Sequence, residues 1–137
     1  MTTKARQTRL ALLLGVLVAL FTATIFAVGV GILNGTPLLL QNILAMSVLG
    51  LILGSIAFLF LFFRLYYALG IYAAGLVLGS AVMISTFLKG VAGWEDLIGL
   101  LSYLLLVGMG LALGLLVQLI VYLVQRNKKA KEGGQAP

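Results

Sequence analysis

Apolar and polar residues fall into long blocks along this chain rather than alternating. The first apolar block, Leu10 to Leu33, carries no charge and is long enough for one membrane crossing, which takes about 20 apolar residues in a helix. Asn34-Gly35-Thr36-Pro37 then reads as a tight reversal. Gly35 suits a left-handed helix end, Thr36 an N-cap and Pro37 a first helical turn. The next block, Leu38 to Leu88, is interrupted by a single charge, Arg64. As one straight helix it would reach about 76 Å, so the pattern predicts two crossings that reverse at Arg64, between Phe62-Phe63 and Tyr66-Tyr67. A polar connection from Lys89 to Asp96 precedes the last block, Leu97 to Val124.

The expected fold is therefore all-α, a polytopic membrane protein with four transmembrane helices in a compact bundle with short connections. The spans are placed at 10–33, 38–61, 69–88 and 97–124, within a transmembrane domain over 10–124. A basic N-terminal segment, 1–9, precedes them, and a basic tail, 125–137, follows and is expected to be disordered. Lys4, Arg6 and Arg9 resemble the basic start of a signal peptide. The apolar segment behind them exceeds the usual 7–15 residues, and a retained first helix is expected.

Composition supports this pattern: of 137 residues, 63% are hydrophobic and 9% charged, against about 25% charged in soluble domains. Charge adds an orientation. With four spans, both termini and the Arg64 turn share a side, and eight of the nine Lys and Arg lie there, leaving only Lys89 opposite. The positive-inside rule then makes both termini cytoplasmic, in a bacterial cytoplasmic membrane as the expected setting. The net charge of +6 lies outside the apolar blocks, so it points to anionic lipid and not to nucleic acid. Arg64, Arg126, Lys128, Lys129 and Lys131 are the expected headgroup contacts.

Candidate chemistry is sparse. The chain has no Cys and no His, and its three acids are Glu95, Asp96 and Glu132. No metal, cofactor or catalytic group is expected, and the protein is read as non-enzymatic. No carboxylate lies at membrane depth to drive a proton-coupled carrier. Glu95 and Asp96 suit the first turn of a helix, where acids oppose the positive end of its dipole, and Trp94 beside them suits an interfacial anchor. Polar residues inside the spans are few, and Thr22, Ser47 and Ser80 fall near mid-depth as candidate pore-lining residues.

Small residues form the most distinctive pattern. Gly15, Ala19, Ala23, Ala27 and Gly31 recur every fourth position through the first span, and later spans carry Gly50/Gly54, Gly75/Gly79 and Gly110/Gly114. Such faces let helices approach closely in lipid. Counting outward from Arg64 places Gly54 at the depth of Gly75 and Gly50 at the depth of Gly79, so spans two and three are expected to close on each other as a glycine-lined hairpin.

Gly35-Thr36, Asn42 and Gly50, with Ile84-Ser85-Thr86-Phe87, resemble scattered elements of the small dimeric bacterial fluoride channels. The spacing from Gly35-Thr36 to Asn42 is longer than in that family, and the first span lacks its glycine-rich arginine motif. The resemblance is not adopted. The expected function is that of a small non-enzymatic membrane protein, acting as a homo-oligomer or as an accessory or assembly subunit of a larger complex. The alternative is a small uncoupled channel, carrier or holin-like pore formed by oligomerisation.

Overall fold

A computed structural model describes residues 3–33, 35, 37–90 and 94–134, except for the side chains of Glu95 and Asp96. The chain is an all-α bundle of four helices, each long and apolar enough to cross a membrane, which is the architecture of an integral membrane protein. The helices are α1 (Thr3–Ala27, prolonged by a π-helical segment Val28–Leu33), α2 (Leu40–Phe62), α3 (Tyr66–Lys89) and α4 (Glu95–Gly133).

Several boundaries differ from those read off the hydropathy blocks. α1 starts at Thr3, so most of the basic segment 1–9 is already helical. Likewise α4 continues to Gly133 rather than ending at Val124. The stretch Gln125 to Glu132 is rich in Gln, Arg, Lys and Ala, all strong helix formers, and its cations sit at the helix C-terminus where the dipole favours them. The expected disordered tail is thus a helical extension for most of its length. At 39 residues α4 runs about 58 Å, well beyond a hydrocarbon core of about 30 Å.

The first reversal also departs from expectation. Gly35 takes the left-handed conformation (φ 65°), as its residue type suggests, but α2 begins only at Leu40, with Leu39 in the extended N-cap position. Pro37 therefore precedes the helix instead of opening it, and Thr36 lies outside the described residues. Trp94 occupies the N-cap of α4, exposed, and the backbone of Glu95 and Asp96 opens its first turn.

The reversal at Arg64 is the most compact of the three. Arg64 has φ 58°, the left-handed position usually given to glycine. Leu65 N–H donates to Phe60 O at 2.8 Å and Arg64 N–H to Leu61 O at 3.1 Å, the double closure of a Schellman motif. This ends α2 and starts α3 with Leu65 as its N-cap.

Two helix pairs dominate the packing: α1 lies along α2, and α3 along α4, while α2 and α3 approach each other much less. The two hairpins meet through large side chains, with Tyr72, Tyr103 and Met83 fully buried between them. α3 is the most buried helix and α4 the least.

Candidate functional site

The glycine faces close within hairpins, not between α2 and α3. A Cβ on Gly50 would lie 2.7 Å from Ala19 O, and one on Gly15 would lie 2.9 Å from Gly54 O. Gly54 in turn lies against the Gly15 carbonyl and Ala19. In the second hairpin a Cβ on Gly75 would meet the Gly110 Cα at 3.1 Å, and one on Gly114 would meet Ala68 O at 2.8 Å. A Cβ on Gly79 would lie 3.2 Å from both the Tyr103 ring and the Tyr103 carbonyl. The expected Gly54–Gly75 and Gly50–Gly79 pairs therefore do not form. Phe60 and Tyr72 stack edge to face between α2 and α3, with centroids 5.6 Å apart, and hold those two backbones from closing.

The small-residue stripe of α1 is likewise divided. Only Gly15 and Ala19 meet α2 backbone; Ala23 and Ala27 line an outward groove, and Gly31 faces Leu38. The π-helical segment from Val28 breaks the four-residue phase and turns Gly29 onto Phe87, where a Cβ would sit 2.8 Å from the ring. Such widened turns recur at sites where a helix adapts to a partner.

The three mid-depth hydroxyl residues do not share a path. Thr22 is fully buried, its Oγ1 3.4 Å from the Tyr103 hydroxyl across the hairpin interface. Ser80 is buried and donates to Leu76 O one turn back at 2.7 Å. Ser47 is exposed on α2, donates to Ile43 O at 2.8 Å and faces the outer groove. The two serines satisfy themselves within their own helix, and the threonine does so across the helix packing.

The shorter of the two buried hydrogen bonds between helices is one the sequence did not single out. Tyr72 on α3 donates its hydroxyl to Leu53 O on α2 at 2.9 Å. Phe26 stacks edge-on against Tyr103, with centroids 5.0 Å apart. Beside that pair a crevice of about 360 Å³ draws residues from all four helices, including Phe26, Asn42, Met46, Phe87 and Leu104, with Asn42 as its polar member.

A second polar cluster lies at the end that holds the Arg64 turn. Gln7 of α1 accepts from Arg64 Nε at 2.9 Å, and its own amide donates to Leu61 O and Phe62 O at 3.4 and 3.3 Å. One side chain thereby steadies both the left-handed arginine and the last carbonyls of α2, which have no partner within the helix. From the opposite side Gln118 of α4 accepts from the Ala68 N–H, in the first turn of α3, at 3.4 Å. Gln7 escaped notice because it sat in a segment read as lying outside the spans. Its clue was a polar amide one turn before the first apolar block, at the depth of Arg64. The tail cations Arg126, Lys128, Lys129 and Lys131 are exposed along the α4 extension.

Among the described residues no three of His, Cys, Asp or Glu come together as a metal site. No protein-family model, curated protein or solved structure matches this chain.

Proposed function

We propose that this chain is a small non-enzymatic membrane protein that works by association, as a homo-oligomer or as an accessory subunit of a larger membrane assembly. The observation that carries this reading is the packing of the hairpin interface. Thr22, Tyr72, Met83 and Tyr103 are fully buried at the hairpin interface. Every hydroxyl among them is turned onto another hydroxyl or a helix carbonyl. A conduit needs polar groups aimed at open space, and a catalytic centre needs titratable ones at the reacting atom. None of these hydroxyls lines the four-helix crevice, whose one polar lining residue among those described is Asn42.

The outer surface is then what a partner meets. α4 is the least buried helix, and near its middle a Cβ on Gly108 would meet nothing within 4 Å, with Ala112 exposed one turn on. A helix-interior glycine that packs against nothing in its own chain weakens the helix but admits close approach by another. The eight cations at the end shared by α1's start, the Arg64 turn and the α4 extension support a cytoplasmic location for both termini.

The purified protein in liposomes is expected to pass no ions or small solutes, and Gly108→Cys to crosslink to a second copy or to a partner subunit in native membranes. Solute flux through the purified protein alone would replace this reading with the pore. Labelling from outside intact cells is expected at Glu95→Cys and not at Ala130→Cys, since the native chain has no cysteine to interfere.

A further inference from the structure

We infer that the first hairpin holds one anionic phospholipid, its phosphate beside Lys4 and Arg64 and one acyl chain in the outward groove between α1 and α2. The inference is independent of the association reading above.

The polar half of the site is a pocket of about 420 Å³ where Lys4 and Gln7 of α1 meet Phe62 and Arg64 at the reversal. Gln7 holds Arg64 through Nε, which leaves the two terminal amino groups of the guanidinium for a ligand. Thr3 adds a hydroxyl to the same rim. The pocket has no internal counter-charge. No carboxylate of the described residues pairs with Lys4 or Arg64, and the chain's three acids lie at the start of α4 and in its C-terminal extension. An anion must come from outside the chain. A guanidinium fixed at one nitrogen with a lysine beside it matches a phosphate, which accepts several charge-assisted hydrogen bonds.

The apolar half continues directly from it. The Phe62 ring, which lines the basic pocket, stacks on Phe58 at 5.6 Å, and Phe58 lines a groove of about 510 Å³ between α1 and α2. Gly15, Ala19 and Gly54 lie along this groove, with the exposed side chains of Leu12, Val16 and Leu51 beside them. From Leu12 to Ala23 this stretch runs about 17 Å along α1, and further hollows past Ala27 towards Gly35 continue it. A phospholipid joins an anionic group to an apolar chain, so one molecule fills the basic pocket and the adjoining groove together. That complementarity of charge selects a lipid of the leaflet on the Arg64 side.

The test uses the full-length protein, delipidated in detergent and titrated with phosphatidylglycerol or phosphatidylcholine, with bound lipid counted by native mass spectrometry. One phosphatidylglycerol is expected to be retained in preference to phosphatidylcholine. Lys4→Gln and Arg64→Gln are each expected to lower its occupancy roughly fivefold, the usual effect of one basic residue near a lipid surface. Ser55→Leu, which fills the groove without touching either cation, lowers it as well. Neutralising Arg126, Lys128, Lys129 and Lys131 together leaves it unchanged, and excess inorganic phosphate does not displace the lipid. Loss of lipid in the tail variant but not in Lys4→Gln would mean diffuse attraction and overturn the site. Displacement by inorganic phosphate with no effect of Ser55→Leu would make the ligand a soluble phosphate and overturn the lipid assignment. Lys4 is exposed on the first turn of α1, so its variant decides the matter if Arg64→Gln does not fold.

Discussion

The two hairpins use near-identical glycine hexapeptides in different ways. Gly50-Leu-Ile-Leu-Gly54-Ser in α2 and Gly75-Leu-Val-Leu-Gly79-Ser in α3 each turn their glycines toward the hairpin partner. In the first hairpin that partner is small at both levels, Gly15 and Ala19, and both α2 glycines lie against α1 backbone. In the second, one level is backbone on backbone, Gly75 on Gly110, while at the other Gly79 meets both the ring and the carbonyl of Tyr103. The first interface closes on backbone and the Cβ atoms of Ala19 and Phe58. The second closes around an aromatic side chain that also reaches the other hairpin through Thr22 and Phe26. A small-residue motif thus permits close approach without choosing a partner, and the residues placed opposite decide how much of the approach is used.

The largest effect that would break this comparison is steric. Gly54→Leu drives a side chain into the α1 backbone and is expected to cost about 3 kcal/mol or more, at the upper end of overpacking. Gly79→Ala places a Cβ 3.2 Å from both the Tyr103 ring and the Tyr103 carbonyl, looser than the contacts at Gly54, and is expected to cost about 1 kcal/mol. Reversible unfolding in mixed micelles measures both. Cysteine pairs give the same contrast without energies: 15/54 and 75/110 should crosslink within one chain, whereas 54/75 should not. Efficient 54/75 crosslinking would restore the α2–α3 glycine hairpin.

Next come the two tyrosines that join the hairpins. Tyr72→Phe removes a 2.9 Å bond to a helix carbonyl and should cost about 1 kcal/mol, within the range of interhelical bonds in membrane bundles. Tyr103→Phe removes a longer contact of 3.4 Å and should cost about 0.5 kcal/mol, near the mean of such bonds. Equal losses would mean that the length of the hydrogen bond does not set what each tyrosine contributes.

At the shared turn, Gln7→Ala frees both Arg64 and two carbonyls and should destabilise by about 1 kcal/mol, while Gln118→Ala, with one 3.4 Å bond, should cost about half of that. The smallest effect has the opposite sign. Gly108→Ala fills open space on α4 and should stabilise the isolated chain by about 0.5 kcal/mol through helix propensity. The same substitution should weaken association, readable as a lower crosslinked fraction.

Four spans and the asymmetry of charge were legible in the sequence, because both depend on local composition. An uninterrupted apolar block has no lower-energy place than the bilayer, and its length sets the number of crossings whatever it packs against. Gly35 was legible for the same reason, since its left-handed φ is a local property of the residue. The helical extension of α4 was legible too, in the propensities of Gln125 to Glu132, but composition had suggested a solvated tail. The turn at Arg64 was placed by its charge, while its Schellman closure on a non-glycine residue was not readable, because that conformation is held by Gln7, 57 positions away. The candidate hydroxyls show the same limit: Thr22, Ser47 and Ser80 fall near one depth in the sequence reading, yet two are buried and one is exposed on the outer groove. Residues of the sequence alone determined how many helices there are, where they cross and which end carries the positive charge. Tertiary structure decided which helices pair, because small faces fit one another equally well at matching depths. The choice fell to bulky groups far apart in sequence, the Phe60–Tyr72 stack that spreads α2 from α3 and the Tyr103 contacts that draw the hairpins together.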